Sequence, residues 1–261
     1  MNSDGRTVLV TGVGRRQGIG FAITRRLLQD ERARVFAQSC DDYDVSEPWG
    51  TNTPGAVQVL RELSAAQGEL GHLDIDLSDP AAPSTLFDAA ESRLGTIDSL
   101  VINHARSQLG DLDSMTAESL DLTWAVNVRA SLLLVQEFVQ RYVDHPDGGR
   151  VVLFTSGQDE GPMPTEIPYA VSKGAIASIT PTLADSVIER GITVNTINPG
   201  PTDTGWASAD LDEFVGRHMP RGRWNSPEEA AAVVAILLSP DSGSITGQII
   251  GAEGGFRRFT P

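Results

Sequence analysis

Short apolar runs rich in β-branched residues alternate along the chain with longer stretches whose apolar residues recur every three or four positions. The short runs read as strands buried on both faces, and the longer spacing reads as helices with one buried stripe. The pattern predicts strands over Thr7–Thr11, Arg34–Gln38, His72–Ile75, Leu100–Asn103, Arg150–Thr155, Thr193–Asn198 and Gln248–Ala252. Between them it predicts helices over Ile19–Glu31, Val57–Ala66, Ala81–Leu94, Ala117–Tyr142, Tyr169–Glu189 and Pro227–Ser239. Such an alternation implies parallel strands joined by crossover helices, because parallel neighbours need a long connection. The expected fold class is α/β, a doubly wound parallel sheet with helices on both faces. Val45–Gly55 and Pro199–Trp224 read as excursions from that sheet, so residues 1–261 form one domain.

Composition changes the picture mainly by exclusion. At 40% hydrophobic and 21% charged residues the chain is ordinary for a globular protein and is neither disordered nor fibrous. A net charge of −15 repels phosphate backbones and anionic bilayers, so neither nucleic acid nor membrane is an expected partner. Any phosphate must then be held locally, by backbone donors or a few placed arginines. The single cysteine, Cys40, allows no internal disulfide and no cysteine metal cluster; a cytoplasmic location without a metal is expected. Met1–Arg6 is polar, and the longest clean apolar stretch, Ala230–Leu238, falls well short of the ~20 residues of a membrane span.

Two features carry chemistry. The first strand ends in Thr11-Gly12-Val13-Gly14-Arg15-Arg16-Gln17-Gly18-Ile19-Gly20 and runs straight into a helix. Glycines there let backbone approach a pyrophosphate, and the helix start offers unpaired N–H groups. A tight turn that binds nothing would look the same locally. Further on, Tyr169 and Lys173 lie four apart at a helix start and share one face. A phenol titrates near pH ~10, and an adjacent ammonium would pull it toward neutrality. Ser156 follows the fifth strand, thirteen residues before Tyr169, and Asn127 sits in the long helix before that strand.

Taken together these residues resemble the short-chain dehydrogenase/reductase family over almost the whole chain, which implies a Rossmann-like fold. Asn127, Ser156, Tyr169 and Lys173 match its catalytic four. The resemblance implies that Ser156 polarises a carbonyl, Tyr169 exchanges the proton, Lys173 lowers the tyrosine pKa and holds the nicotinamide ribose, and Asn127 anchors a relay water. It also implies a cofactor site made by Gly12, Arg15, Arg16, Gly18, Ile19, Gly20, Ser39, Asp76, Leu77, Asn103, His104 and Ala105, with Tyr169 and Lys173. Pro199, Gly200 and Thr202 belong to its Pro-Gly loop, and Ile245-Thr246-Gly247-Gln248 with Glu253-Gly254-Gly255 resemble its C-terminal signature.

The chain departs from the family pattern twice. The glycine turn places five residues between Gly12 and Gly18, as in enoyl-reductase relatives, whose Tyr and Lys stand further apart than Tyr169 and Lys173 do. His104-Ala105 stands where the family usually has Ala-Gly, and a structural role for His104 is expected over a catalytic one. The expected activity is hydride transfer between a nicotinamide cofactor and a small carbonyl or alcohol substrate. Alternatives are a 3-oxoacyl-[acyl-carrier-protein] reductase, docking its carrier on Arg217, His218, Arg221 and Arg223, and a non-catalytic NADP-binding regulator. NADP is favoured over NAD, because Gln38 and Ser39 replace an acid at the end of the second strand while Arg15 and Arg16 lie nearby. Against it, Asp41 and Asp42 follow at once, and a shift of one or two residues would place one of them on the ribose. Asp159 and Glu160 read as loop acids, and Trp206 as a candidate lid residue. Extra apolar residues on the long helices, Leu132, Leu133, Leu134, Ile176, Ile179 and Leu183, suggest a homotetramer.

Overall fold

A computed structural model of the chain describes residues 5–29, 32–46, 55–65, 68–205, 207 and 209–257. Seven strands form one sheet: β1 (Thr7–Val10), β2 (Arg34–Ser39), β3 (Leu70–Asp74), β4 (Ser99–Ile102), β5 (Gly149–Phe154), β6 (Ile192–Asn198) and β7 (Ile249–Gly251). Their spatial order is β3-β2-β1-β4-β5-β6-β7, with every pair parallel. The chain starts at β1, winds outward to β3, then returns to β4 on the other side. That reversal opens a crevice at the strand ends between β1 and β4, where doubly wound sheets take their ligands.

The helices are α1 (Ile19–Gln29), α2 (Asp41–Ser46), α3 (Ala56–Leu63), α4 (Ala82–Leu94), α5 (Ala117–Trp124), α6 (Ala130–Arg141), α7 (Ile167–Val187), α8 (Ala209–His218) and α9 (Pro227–Leu238). One apolar cluster joins Leu9, Leu100, Leu134, Phe138, Ile176 and Val194 on one side of the sheet. Val8, Val10, Ile23, Leu28, Val152 and Val234 form the other. Adjacent strand residues thus feed opposite layers, and β1, β4, β5 and β6 are buried throughout.

The structure adjusts several predicted bounds. β3 begins at Leu70, two residues before the expected start. The helix expected over Ala117–Tyr142 is interrupted by a π turn at Ala125–Arg129, where the Ala130 N–H bonds five residues back to Ala125 O. α2 falls in a stretch with no predicted element, and α8 lies inside the Pro199–Trp224 excursion. Of the Val45–Gly55 excursion, residues 47–54 lie outside the described residues, as do Glu31 and Ala66 at predicted helix ends and Trp206. Leu134 and Ile176 face the core, so they supply no spare apolar surface. Among the described residues no helix is long and apolar enough to cross a membrane.

Candidate active site

The glycine turn is built for close approach. Gly12 has φ +76°, and a Cβ there would meet the Asn103 amide nitrogen at 2.8 Å. A Cβ on Gly20 would stand 2.2 Å from the Gly12 carbonyl, so α1 can abut the turn only if that residue has no side chain. Asn103 stitches the turn down: its Nδ2 donates to Thr11 O at 3.2 Å and Gly12 O at 3.1 Å. Gln38 holds the other side, its Oε1 accepting from Gly12 N at 3.0 Å. The first turn of α1 then points its N–H groups at a cleft of about 520 Å³ over the strand ends.

That cleft gathers Gly12, Arg15, Gly18, Ile19, Asp76, Leu77, Asn103, His104, Ala105 and Tyr169 from the expected cofactor set. Other expected members lie elsewhere. Arg16 is exposed and pairs with Glu62 at 2.7 Å, facing away. The Ser39 hydroxyl is buried between Asp74 Oδ1 at 2.7 Å and His72 Nε2 at 2.9 Å. Gly20 supports the turn from behind. Thr202 folds onto its own loop, donating to Gly200 O at 3.1 Å, while Asn225 Nδ2 ties Pro199 O at 2.9 Å. From that loop it is Thr204 that lines the cleft.

Cys40, Tyr43, Asp44, Arg106, Ser107, Leu122 and Val126 also line it without having been picked out for the site by sequence; Gly14, Gln38 and Asp42, which the sequence places in the turn and at the ribose end, line it as well. The Tyr43 hydroxyl accepts from Ser107 N at 3.0 Å, and Arg106 lies over the Tyr43 ring at 5.3 Å, so α2 is tied across to the loop after β4. Arg15 is half-buried; burial lowers its pKa, and Asp44 opposes that shift.

The catalytic four converge at the other end. Ser156 stands close enough to the Tyr169 hydroxyl to lower its pKa. Lys173 is buried on the same face of α7, its Nζ donating to Phe154 O at 2.9 Å and standing 5.6 Å from the Tyr169 ring centre. Asn127 lies in the π turn. Its Oδ1 accepts from Arg106 N at 2.7 Å, and its Nδ2 donates to Arg106 O at 3.0 Å and to Ser172 Oγ at 2.9 Å. Ser172 in turn donates to Tyr169 O at 2.7 Å. One amide therefore joins the loop after β4 to the helix carrying Tyr169 and Lys173.

The electrostatics correct one expectation. Burial pushes Tyr169 up to about 12, with Ser156 pulling it partly back. Burial also holds Lys173 down to about 8, so at neutral pH it is still mainly the ammonium. Tyr169 is therefore a protonated donor at neutral pH. The basic patch is an exposed, ion-paired face. Arg221 and Arg223 pair with Glu229 at 2.8 Å and 2.9 Å, Arg217 with Glu213 at 3.8 Å, and His218 Nδ1 donates to Phe214 O at 2.7 Å.

A sequence profile described as Enoyl-(Acyl carrier protein) reductase matches residues 12–257. The chain is 36% identical over 258 residues to the uncharacterized oxidoreductase YjdA of Bacillus subtilis, covering 98% of this chain and 99% of that one. Among solved structures, a short-chain dehydrogenase/reductase from Serratia marcescens superposes with a TM-score of 0.84 at 32% identity, over 97% of this chain and 98% of that one. The angucycline C-6 ketoreductase LanV with bound NADP superposes with a TM-score of 0.84 at 30% identity, over 98% and 96% of the two chains.

Proposed function

The chain belongs to the short-chain dehydrogenase/reductase family of nicotinamide-dependent oxidoreductases, and on that premise we propose that it reduces a small-molecule carbonyl with NADPH. The observation that carries the reading is buried Lys173 5.6 Å from the Tyr169 ring centre, with Tyr169 lining a cleft floored by the glycine turn. The cradle fits a dinucleotide: its glycines stand where side chains would collide with Asn103 and the turn's own backbone. Gly12, Gly18 and Ile19 would hold the pyrophosphate at the start of α1, with Asp76, Leu77 and Asn103 walling the adenosine side. A bound nicotinamide supplies the hydride.

The chain's own residues do the rest. Ser156 Oγ–H donates to the substrate oxygen as negative charge grows there. Tyr169 passes its proton to that oxygen. A phenol with a pKa of about 12 remains a stronger acid than an ordinary alcohol, so the transfer runs downhill. In the reverse direction the phenolate would take the proton back, and burial disfavours that form. Lys173 steadies the charge left on the phenol oxygen.

For the cofactor's 2′-phosphate we assign Arg15 alone. It lines the cleft, whereas Arg16 is held by Glu62; LanV, a similar protein with bound NADP, supports NADP as the cofactor. The ion-paired arginines around Glu229 disfavour carrier docking, and the complete Ser156–Tyr169–Lys173 set disfavours a non-catalytic regulator. We also propose a homotetramer, supported by the exposed Trp124, Val171, Ile236 and Ile249 on α5, α7, α9 and β7. Tyr169→Phe tests the mechanism: turnover should fall at least a thousandfold while NADPH affinity, read by fluorescence titration, stays within threefold. Parent-like turnover by that variant on any accepted carbonyl would defeat it.

A further inference from the structure

His104 stands in the cleft at a position where the family resemblance gives alanine, and its imidazole is bonded on both sides. Nε2 lies 2.9 Å from the Val126 carbonyl, which can only accept, so that nitrogen carries the proton. Nδ1 is then the acceptor, 2.8 Å from Thr11 Oγ1. Thr11 is itself a hub: its hydroxyl oxygen accepts from Asn103 N at 3.1 Å and from His104 N at 3.3 Å. The ring is buried, and burial lowers its pKa to about 4, with the Val126 carbonyl opposing and Lys173 assisting. It is neutral, with one tautomer selected by geometry.

Both ends of this bridge matter. Thr11 opens the glycine turn, and Val126 lies in the π turn directly before Asn127. Asn127 reaches back across the same gap to the backbone of Arg106, two residues beyond His104. The two segments are therefore locked reciprocally: a side chain from the β4 loop holds the π turn, and a side chain from the π turn holds the β4 loop. A π turn is a local irregularity whose shape depends on its surroundings. Alanine at position 104 could fill neither role.

We infer that His104 is a positioning residue, a neutral strut that fixes the π turn and with it Asn127 against the glycine turn. It touches no reacting atom; it sets the alignment of Asn127, Ser172 and the helix bearing Tyr169 and Lys173. The inference rests on the reductase reading for its catalytic consequence, but the strut itself is made entirely by this chain's own residues.

Three variants test it. His104→Ala removes ring and bonds, His104→Leu fills the volume without bonds, and His104→Gln keeps an amide that can donate toward Val126 O. Amide hydrogen exchange in the cofactor-free protein should rise at least tenfold across residues 125–131 in the Ala and Leu variants. In the same variants kcat should fall at least tenfold, with the KM for NADPH within threefold, since Asn103 still holds the glycine turn. His104→Gln should recover to within threefold of the parent in both measurements. Parent-like exchange in the Leu variant overturns the strut, as does a Gln variant no better than Leu. If the Ala variant fails to fold, the Leu and Gln pair decides alone. A parent inactive on every carbonyl tested would defeat the reductase reading, while the exchange rates would still decide the strut.

Discussion

Arg15 and Arg16 are adjacent in sequence and opposite in circumstance. Side-chain chemistry alone makes them equivalent phosphate ligands, and nothing in the glycine turn's residue pattern separates them. The separation comes from Glu62 on α3, 46 positions away, which holds Arg16 outside the cleft. Arg15→Ala should weaken NADPH binding about tenfold or more, the loss of one charge-assisted contact worth ~2 kcal/mol. Arg16→Ala should leave it within twofold. Asp44→Asn, by removing a carboxylate that shares the cleft with Arg15, should shift preference further from NADH toward NADPH. Fluorescence titrations with both cofactors check all three. Tyr169 and Lys173 were legible as a pair from spacing, but their protonation was not. Burial by the assembled site sets it, and no local pattern encodes burial.

At the scale of elements, helix α9 shows how one residue can be overcommitted. Ser226 and Glu229 form a reciprocal capping box, and Glu229 also pairs with Arg221 and Arg223. The Arg223 hydrogen bond, the Ser226 backbone and then Arg221 lower its pKa to about 2. Its folded pKa lies below its unfolded value, so the stabilisation is present above pH ~4.5 and is lost as pH falls through about 2. Glu229→Gln should cost about 1 kcal/mol at neutral pH and flatten the fall in stability between pH 5 and 3, measured by urea unfolding. The proline at the start of α9 made that helix readable, while its capping box emerges only in the structure. α2 was not readable: Asp-Asp-Tyr-Asp-Val-Ser has no apolar stripe, and Tyr43 is anchored by Ser107 in a distant loop. The π turn was hidden for the converse reason. The apolar spacing continues across Ala125–Arg129 well enough to read as one helix, while the extra residue is accommodated by His104 and Arg106.

The sheet ends at β3 on one side and at β7 on the other; at the β7 edge Ile249 is 46% exposed, and on α9 Ile236 is 59% exposed. An exposed parallel edge flanked by apolar side chains invites a second copy. Light scattering at micromolar concentration should give the mass of four subunits, and Ile236→Glu should lower it to two. A parent mass near one subunit contradicts the assembly. The strand order has another consequence, for the chain during its synthesis. Asn103, which pins the glycine turn, lies 91 positions after Gly12, and β4, the second neighbour of β1, arrives with it. At roughly 5–20 residues per second the ribosome needs on the order of ten seconds to span that interval. Throughout it the turn lacks its floor, and dissolved cofactor has no finished pocket to enter. Nascent chains halted before residue 103 should therefore gain no protease resistance from added NADPH, whatever its concentration, because the ligand can reward folding only after the far half has emerged.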